Sequence, residues 1–479
     1  MTAALHVVIL AAGKGTRMRS ALPKVLQPLG GRPMLSHVLE RARLLSPARI
    51  SVVIGHQADR VRASVAADDL RFVEQAEQKG TGHAVSLALA GQEPAGRVLV
   101  LYGDVPLIPP EDLEACLQAS ADLVVLGAEV ADPRGYGRLV EHPPGHLERI
   151  VEERDADTAQ QRIRRINTGI LSAPAAHLKR WLAQGEAEAD RRAGEWYLTD
   201  VVAAARAEGR PVALAISATP EAVLGVNDRL QLAGQERLFQ RGQAERCLRA
   251  GLALTDPGRF DLRGQLHFGE DCLVDLNVIL EGTVRLGDRV RIGPGCRLRD
   301  VVVEDDAQID AYSVLESCVV GPGCRVGPFA RLRPGAQLEA GAAVGNFVEM
   351  KNATLGPGAK ANHLTYLGDA EVGPRANIGA GTITCNYDGA NKHRTRIGAD
   401  AFIGSNSALV APVTVGDGAT IGAGTVLTRD APSGVLTFSR PPQQTRSDWE
   451  RPRRTARRPA DDPGDPESSP PGTDSGTDL

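Results

Sequence analysis

The sequence predicts an α/β domain in its N-terminal half and a parallel β-helix of hexapeptide repeats in its C-terminal half. Three observations support this: strand-like and helix-like segments alternate over residues 1–226, an aliphatic residue recurs every six residues between Phe268 and Leu427, and a helical segment joins the two regions. Alternating segments indicate a mostly parallel sheet. We therefore expect an N-terminal domain (1–226), a linker helix (227–250), a β-helix column (251–440) and a tail (441–479).

In the N-terminal domain, apolar runs rich in β-branched residues predict strands, and longer amphipathic runs predict helices. The predicted strands cover 5–10, 50–55, 98–102 and 122–126, and the predicted helices cover 33–45 and 82–91. In a sheet of this kind, ligands bind beyond the carboxyl ends of the strands.

The six-residue period of the C-terminal half fits neither an α-helix nor simple strand alternation. It fits a parallel β-helix, in which each hexad is a short strand plus a corner and three hexads make one coil of about 18 residues. A Gly-rich loop region would not keep phase over so long a stretch. We count about nine coils, which predicts a column about 40 Å tall. The residues expected to point inward are Phe268, Val274, Leu280, Leu286, Ile292, Leu298, Val303, Ile309, Leu315, Val320, Val326, Leu332, Leu338, Val344, Met350, Leu355, Ala361, Leu367, Val372, Ile378, Thr384, Ile397, Ile403, Leu409, Val415, Ile421 and Leu427.

Composition excludes several classes of protein. A net charge of −4 and an aromatic content of 4% argue against binding to nucleic acid or to an anionic membrane surface. No apolar run reaches the length of a membrane span, and the first residues lack the basic segment of a signal peptide. The seven cysteines are scattered without a CxxC pair, which favours reduced thiols and a cytoplasmic location over a disulfide framework or zinc site.

The first predicted strand runs into a turn of small residues, LAAGKGTRM, from Leu10 to Met18. Such a turn lets backbone N–H groups approach phosphate oxygens. It is neither a P-loop nor a dinucleotide fingerprint. Arg17 and Lys24 can bring positive charge to the same place. On these residues alone, an ordinary strand-to-helix turn is an equally good interpretation.

The strand predicted at 98–102 ends in GDVPL, which puts Asp104 at its carboxyl end. A carboxylate there is suited to a hard divalent cation that bridges phosphates. A helix-capping or turn aspartate is the alternative. Further on, Asn227 or Asp228 can cap the linker helix, in which Leu230, Leu238, Phe239 and Leu248 form a discontinuous apolar stripe.

Two segments of the column depart from the repeat. The segment HLTYLGD, from His363 to Asp369, places a histidine and a tyrosine among small residues, although a lone histidine in a repeat usually has only a structural role. Residues 385–396 delay the next inward position from Thr384 to Ile397, so they are expected to form a protruding loop.

Several motifs occur in a fixed order: LAAGKGTRM, PKVL, EQKGTGHA, YGDVPL, GYGR, INTG and GVND, followed by the hexapeptide column. Over residues 1–440 this closely resembles the bacterial family of bifunctional N-acetylglucosamine-1-phosphate uridylyltransferases/glucosamine-1-phosphate acetyltransferases. The resemblance implies a Rossmann-like nucleotidyltransferase domain, a left-handed β-helix and homotrimers formed through that column. It also implies Mg²⁺ dependence, the substrates UTP and acetyl-CoA, and a product that feeds peptidoglycan synthesis.

The resemblance also implies roles for residues of the N-terminal domain. Arg17 and Lys24 would contact phosphates, and Asp104 and Asn227 would hold Mg²⁺. The other contacts to UTP or to the UDP-sugar would come from Leu10, Ala11, Ala12, Gly13, Gln75, Gly80, Thr81, Tyr102, Gly103, Gly137, Glu152 and Asn167. Because a phosphoryl-type transfer mainly needs positioning and charge neutralisation, no nucleophilic side chain is required.

For the column, the resemblance makes His363 the general base of acetyl transfer, with Glu349 orienting its ring. Imidazole suits this task because it titrates near working pH. The residues implied to hold glucosamine 1-phosphate are Arg333, Lys351, Tyr366 and Asn377. Those implied to line the coenzyme A path are Ala380, Asn386, Tyr387, Ser405, Ala423 and Arg440.

Beyond residue 440 the resemblance fades. A basic block comprises Arg446, Arg451, Arg453, Arg454, Arg457 and Arg458, and residues 459–479 have the composition of a disordered segment. The basic block could begin a solubilising tail or could close over coenzyme A phosphates. Two alternatives to the bifunctional enzyme are a nucleotidyltransferase whose column is only structural or regulatory, and a non-catalytic scaffold that keeps both architectures.

Overall fold

The computed structural model of the chain describes residues 4–91, 96–143, 145–192 and 195–451. Residues up to Ser439 form one compact unit, and those from Arg440 form a second. In this second unit, residues 440–451 are exposed and contain no helix or strand. Predictions for Arg453, Arg454, Arg457, Arg458 and the segment 459–479 lie outside the described residues. Within the described ranges, no helix combines the length and the apolar character needed to cross a membrane.

The N-terminal domain is built on a twisted mixed sheet. Its strands and helices are β1 (Leu5–Ala11), β2 (Pro28–Leu29), β3 (Arg32–Pro33), α1 (Met34–Leu44), β4 (Arg49–Ile54), α2 (Ala58–Val65), β5 (Leu70–Glu74), α3 (Thr81–Leu89), β6 (Arg97–Tyr102), α4 (Pro110–Gln118), β7 (Leu123–Glu129), β8 (Arg138–Glu141), β9 (Leu147–Val151), β10 (Arg165–Pro174), α5 (Ala175–Arg192), α6 (Asp200–Ala207) and β11 (Val212–Ile216). Short 3₁₀ turns occur at Thr16–Met18, Lys24–Leu26, Glu153–Asp155, Gln160–Arg162, Pro220–Val223 and Pro257–Arg259. All four predicted strands and both predicted helices of this domain are confirmed.

The strand order is β11-β7-β10-β6-β1-β4-β5, with the β8–β9 hairpin attached at β10. Strand β1 pairs in parallel with β4 and β6, whereas β10 runs antiparallel to β6 and β7. The central strands β1 and β6 are apolar along nearly their whole length and are buried, as expected for strands covered on both faces. The carboxyl ends of β1, β4, β5 and β6 therefore meet at one edge, together with the start of β10.

The linker helix α7 (Arg229–Arg249) begins at Asp228, whose carboxylate accepts a hydrogen bond from the Gln231 N–H at 2.9 Å. The predicted apolar stripe is wrong in part, because Leu230 is 82% exposed and Leu248 is 40% exposed. The helix instead buries amide side chains against backbone. Gln240 donates to the Leu262 carbonyl at 3.1 Å and accepts from the Leu262 N–H at 2.8 Å, as a neighbouring strand would.

The same helix covers the N-terminal end of the column. Its residues Ala244 and Cys247 belong to the column's hydrophobic core, together with Leu252 and Phe260. The other side of the helix packs on the N-terminal domain, where the Gly30 N–H donates to the Glu236 carboxylate at 2.7 Å.

The column consists of short parallel strands arranged in two hydrogen-bonded sheets. The strands of the eleven-stranded sheet are Ala253–Leu254, Leu273–Val274, Arg291–Ile292, Gln308–Ile309, Arg325–Val326, Ala343–Asn346, Lys360–His363, Asn377–Ile378, Phe402–Ile403, Thr420–Ile421 and Leu436–Thr437. The strands of the seventeen-stranded sheet, which continues around a corner, are Phe260–Phe268, Val278–Leu286, Arg297–Arg299, Val302–Val303, Val314–Glu316, Val319–Val320, Arg331–Leu332, Gln337–Leu338, Glu349–Lys351, Thr354–Leu355, Tyr366–Gly368, Ala370–Val372, Ile383–Cys385, Thr395–Ile397, Ala408–Val410, Val413–Val415 and Val426–Leu427.

The register confirms coils of the predicted length. Leu280 lies beside Leu298, which lies beside Leu315, so that equivalent positions are 18 and 17 residues apart. The predicted height is too small, because one face carries eleven strands. At about 4.8 Å per strand these span about 48 Å. The additional strands at 253–254 and 436–437 lie outside the region where the six-residue period is visible.

All predicted inward positions are buried except Phe268, which is partly buried and packs against the core. Each is accompanied by a second inward residue two positions earlier, which is usually small. Ser313, for example, is fully buried before Leu315. Most hexads also have a left-handed residue three positions before the inward aliphatic one, such as Tyr312 with φ 58°. This residue forms the corner.

Replacement of Leu338 by Ala tests whether the inward positions stabilise the column. Leu338 is 2% exposed, whereas its strand neighbour Gln337 is exposed. We expect Leu338→Ala to lower the free energy of unfolding by about 2–5 kcal/mol. Gln337→Ala should change it by no more than about 0.5 kcal/mol. Guanidinium unfolding followed by circular dichroism measures both values. Equal effects of the two substitutions would contradict the assignment of inward positions.

Candidate functional site

The carboxyl end of β1 forms the floor of a cleft in the N-terminal domain. Leu10, Ala11 and Ala12 are buried, and Gly13 is exposed at the turn. A Cβ atom added at Gly13 would meet no atom within 4 Å, so the turn faces open space. The segment after the neighbouring strand β6 is held to β1 by the Gly103 N–H, which donates to the Leu10 carbonyl at 2.9 Å. This exposed backbone can approach a phosphate.

One wall of the cleft comes from the chain after β5. The buried Gln75 donates to the Gly80 carbonyl at 3.0 Å. Gly80 has φ 112°, and a Cβ there would lie 2.3 Å from the Trp196 carbonyl oxygen, so glycine is required. Thr81 accepts a hydrogen bond from the Leu198 N–H at 3.0 Å. The segment around Trp196 thus supports this wall, although nothing in its sequence predicted that role.

The predicted cationic and metal-binding residues converge at the mouth of the cleft. The Lys24 ammonium donates to a carboxylate oxygen of Asp104 and, at 3.2 Å, to the side-chain oxygen of Asn227. Arg17 donates to the same Asn227 oxygen at 2.9 Å. The Lys24 and Asp104 side chains are each 14% exposed. Because the Val226 N–H donates to the Asp104 carbonyl at 2.9 Å, the two oxygen-bearing segments are held together by backbone.

These oxygens fit a divalent cation. Asp104 and Asn227 both direct an oxygen at one ammonium group, which stands where a cation bound by both would sit. One carboxylate and one amide oxygen are a donor set that suits a hard cation which keeps other positions for water and phosphate oxygens. No group of three or more His, Cys, Asp or Glu residues with metal-binding geometry occurs in the described chain.

The three residues predicted to contact the sugar also lie together. The Asn167 N–H donates to the Gly137 carbonyl at 2.8 Å. A Cβ at Gly137 would lie 3.5 Å from the Glu152 carboxylate, so a side chain would narrow the gap between them. Burial raises the pKa of the Glu152 carboxyl. The nearby Thr199 hydroxyl lowers this pKa by a smaller amount, another neighbour that the sequence did not indicate.

Tyr102 lies between the turn at Gly13 and the residues predicted to contact the sugar. Its ring packs on Gly169, where a Cβ would approach the ring to 2.6 Å. Burial raises the pKa of the Tyr102 hydroxyl, with a smaller contribution from Asp104. The phenol is therefore a neutral packing surface at this point of the cleft.

In the column, one face carries a cluster of charged residues. In the seventeen-stranded sheet Glu349 pairs with Tyr366 on the next coil, and Arg333 directly follows the strand that pairs with Glu349 on the preceding coil. Arg333 donates to the Glu349 carboxylate at 2.7 Å. Lys392, from the loop after Cys385, and then Arg333 lower the pKa of the Lys351 ammonium, which places three cations close together. Sequence reasoning missed Lys392 because nothing in the loop marks its approach to Lys351.

His363 ends a strand of the other sheet, where it pairs with Asn346. Its Nδ1 lies 3.1 Å from the Asn346 side-chain oxygen. The Glu349 carboxylate accepts a hydrogen bond from Arg333, and the prediction that Glu349 orients His363 stays a prediction. Asn346 is the side chain that fixes the ring.

The side chains at the corner beside His363 differ in size along the column. Below it, Tyr312, Phe329 and Phe347 stack with centroid separations of 5.4 and 5.5 Å, and Leu364 follows them. All four side chains are about half exposed or more. We call this set the aromatic ladder.

Above His363 the corner residues are small. Gly381, Asn406 and Gly424 continue the left-handed positions, with φ values of 74°, 59° and 74°. The predicted coenzyme contacts Ala380, Ser405 and Ala423 precede them directly, one above the other on successive coils. Asn377 lies on the same sheet as His363, one coil higher than Lys360, and away from the Arg333 cluster.

Residues 386–394 leave the column as the predicted loop. Asn386 is buried and donates to Asp369 at 2.5 Å, whereas Tyr387 is exposed and forms a β-bridge with Lys392. His393 contacts the Asp388 carboxylate at 2.7 Å, which closes the loop. The predicted coenzyme contact of Arg440 stays a prediction.

Comparison with known proteins agrees with both halves of the chain. Residues 7–241 match the family model of the MobA-like NTP transferase domain. Residues 394–429 match the hexapeptide repeat of succinyl-transferase, and residues 262–357 match the GMPPB C-terminal domain.

The similarity to full-length relatives decides the family. The chain is 54% identical over 453 residues to the "Bifunctional protein GlmU" of Alkalilimnicola ehrlichii, covering 94% of this chain and 97% of that protein. It is 54% identical to the protein of that name from Stutzerimonas stutzeri and 55% identical to that from Bordetella parapertussis, each covering 94% of this chain and 99% of the relative. The chain belongs to the GlmU family. The resemblance seen in the sequence is therefore confirmed.

Membership of the GlmU family makes the chain a bifunctional transferase with a nucleotidyltransferase half and an acetyltransferase half. The interpretation of the column as a purely structural or regulatory part is not favoured. A nucleotidyltransferase of this family needs a divalent metal, which agrees with the donor set at Asp104 and Asn227.

The geometry at Lys24 generates a prediction about metal affinity. Because its ammonium contacts both Asp104 and Asn227, it competes with a divalent cation for the same oxygens. Lys24→Met should therefore bind Mn²⁺ about tenfold or more tightly in the absence of nucleotide, since a charge-assisted hydrogen bond is removed from the free state. Titration followed by electron paramagnetic resonance measures this affinity. Lys14→Met removes the same charge from the neighbouring turn and should leave it unchanged. Weaker or equal Mn²⁺ binding by Lys24→Met would disprove the competition.

Proposed function

We propose that the chain makes UDP-N-acetylglucosamine in two steps. The column acetylates glucosamine 1-phosphate with acetyl-CoA. The N-terminal domain then transfers UMP from UTP to N-acetylglucosamine 1-phosphate and releases pyrophosphate. The observation that carries this proposal is that two separate clusters occur in one GlmU-family chain. One gathers Lys24, Asp104 and Asn227, and the other gathers Arg333, Lys351 and Lys392 on the column that also carries His363.

In the uridylyl step, a phosphate oxygen of the sugar attacks the α-phosphorus of UTP. The bond from that phosphorus to the bridging oxygen breaks, and pyrophosphate leaves with the electron pair. Negative charge accumulates around the phosphorus, so the main task of the protein is positioning and neutralisation. Lys24 and Arg17 supply positive charge, and the backbone from Leu10 to Gly13 supports the triphosphate.

The rest of the cleft selects the two substrates. Gln75, Gly80 and Thr81 line the nucleotide side with Tyr102 and Gly103. The residues Gly137, Glu152 and Asn167 line the sugar side, where the partly buried Glu152 carboxylate can accept hydrogen bonds from the amide and hydroxyl groups of the sugar.

We assign the divalent cation as Mg²⁺, held by Asp104 and Asn227. Mg²⁺ bound there would neutralise charge on the triphosphate. Lys24 would leave these oxygens when the cation binds and would be free to contact a phosphate of UTP.

In the acetyl step, His363 removes a proton from the amine of glucosamine 1-phosphate. The amine nitrogen attacks the thioester carbon of acetyl-CoA, the carbon–sulfur bond breaks, and coenzyme A leaves as a thiol after taking up a proton. Asn346 fixes the ring by its contact with Nδ1, which leaves Nε2 to act as the base. Arg333, Lys351 and Lys392 bind the sugar phosphate, because these three cations, less the one negative charge of Glu349 bonded to Arg333, match the charge of a dianion.

The small residues above His363 support a coenzyme A path along that corner. The ladder of large side chains ends at Leu364, and the next corners are formed by Ala380–Gly381, Ser405–Asn406 and Ala423–Gly424. A long, thin pantetheine arm can lie against such an edge with its thioester towards His363. Asn386 and Tyr387 of the loop stand on the opposite side of the sugar site, where Tyr366 and Asn386 both approach Gly368.

We further propose that the chain forms a homotrimer through the column and works in the cytoplasm. The aromatic ladder is a contiguous exposed apolar strip, which a soluble monomer rarely presents. Asn377 lies on a different sheet from the Arg333 cluster, so a site shared between neighbouring copies could unite them. None of the seven cysteines, all of which the structure describes, forms a disulfide, in agreement with a reducing compartment.

Two substitutions separate the activities. His363→Ala should slow acetyl transfer by about 10²–10⁴ and leave uridylyl transfer near the wild-type rate. Asp104→Ala should do the reverse. Release of coenzyme A thiol and release of pyrophosphate, measured on the same purified proteins, report the two reactions. Loss of both activities from either single substitution in a folded protein would argue against two independent sites.

A substitution in the aromatic ladder tests the trimer. Phe329→Asp introduces a charge into the proposed apolar contact and should shift the mass from three times 50.7 kDa towards one. Light scattering after size-exclusion chromatography measures this mass. Leu230→Asp changes an exposed apolar residue outside the ladder, on the linker helix, and should remain trimeric. A trimeric Phe329→Asp protein with normal acetyl transfer would refute the role of the ladder.

A further inference from the structure

Arg138 is a charged residue for which the proposed mechanism has no use. It follows Gly137 directly and begins strand β8. Only 1% of its side chain is exposed, although arginine is rarely buried completely. Burying a charge is costly unless the charge is paired and hydrogen-bonded. We therefore ask which parts of the structure the buried Arg138 holds in place.

The contacts of Arg138 connect two separate segments of chain. Its guanidinium donates to the Tyr136 carbonyl and, at 2.5 Å, to the Glu153 carboxylate. The same Glu153 oxygen accepts a hydrogen bond from the Gly135 N–H at 3.2 Å. The pair thus closes the open end of the β8–β9 hairpin, where Arg138 lies opposite Val151.

The two connected segments carry the predicted sugar contacts. Gly137 lies between Tyr136 and Arg138, and Glu152 is adjacent to Glu153. The gap between them is narrow, because a Cβ at Gly137 would lie 3.5 and 3.6 Å from the two Glu152 oxygens and 3.0 Å from Ile150. The Gly137 carbonyl also receives the Asn167 N–H. A small displacement of either segment would change the width of the sugar pocket.

We propose that Arg138 is a positioning residue for the sugar phosphate in uridylyl transfer. Paired with Glu153, it sets the distance between Gly137 and Glu152. This inference rests on the proposed function of the N-terminal domain. The planar fork of a guanidinium reaches a carbonyl and a carboxylate at once, which the single ammonium of lysine does less well. Arg138 itself need not contact the substrate.

The test compares three variants of the full chain in steady-state uridylyl transfer, with UTP and N-acetylglucosamine 1-phosphate varied in turn. Arg138→Met should raise KM for the sugar phosphate about tenfold or more and leave KM for UTP within about twofold. Arg138→Lys should fall between Arg138→Met and the wild type. Arg165→Met is the matched control, because Arg165 pairs with Glu141 at the other end of strand β8 and should leave both KM values unchanged.

Two further measurements keep the outcomes distinct. Thermal unfolding followed by circular dichroism reports whether the domain that carries each substitution is folded, and acetyl transfer by the column serves as an internal standard for protein concentration. If Arg138→Met does not fold, Glu153→Gln removes the charge of the partner from a 38% exposed site and should show the same selective rise in KM. A fall in kcat alone, or an equal rise in both KM values, would mean that Arg138 has only a structural role and would overturn the inference. If the unaltered chain lacked uridylyl transfer, the proposed function itself would fail.

Discussion

The geometry of the column depends on a corner that most hexads repeat. Three positions before the inward aliphatic residue, the backbone adopts a left-handed conformation, even at non-glycine residues such as Tyr312, Phe347 and Leu364. Such a conformation is unfavourable for these residues, so burial of the aliphatic side chains and the ladder of backbone hydrogen bonds must offset its cost. Because the corner recurs at a fixed place in the coil, outward side chains stack in rows. The row of small residues above His363 is a product of this stacking, whereas the Arg333 cluster combines residues of the column with Lys392 from the protruding loop.

The N-terminal domain gathers its site in a different way. The contacts of Lys24 with Asp104 and Asn227 join positions 80 and 203 residues apart in the chain. Lys24 and Asp104 meet because strands β1 and β6 are parallel neighbours, so that the segments following them leave the sheet at the same edge. Asn227 joins them because the Val226 N–H donates to the Asp104 carbonyl. The cleft is thus defined by strand order, and the column site by the period of the repeat. The two halves of the chain therefore position their charged residues in two different ways.

Much of this arrangement follows from the sequence, because period and residue type carry direct information about burial. The inward positions of the column and the strands around Leu10 and Tyr102 are of this kind. The second inward position was missed since alanine and serine are common both in the interior and on the surface of proteins. The contact of His363 with Asn346 was missed because it depends on which residues of successive coils become neighbours, which spacing alone does not reveal. Arg138 was overlooked for a related reason: an arginine in sequence is expected to be exposed.

The position of the linker helix has a practical consequence for dividing the chain. Ala244 and Cys247 of this helix complete the apolar interior of the first coil, next to Leu252 and Phe260. A solenoid end that loses its cap exposes apolar surface and an unpaired strand edge to other molecules. A fragment of the acetyltransferase half that starts after Arg249 would therefore be prone to aggregate, whereas one that starts before Asp228 would retain its own lid. The linker helix is therefore part of the folding unit of the acetyltransferase half, even though it also packs on the N-terminal domain.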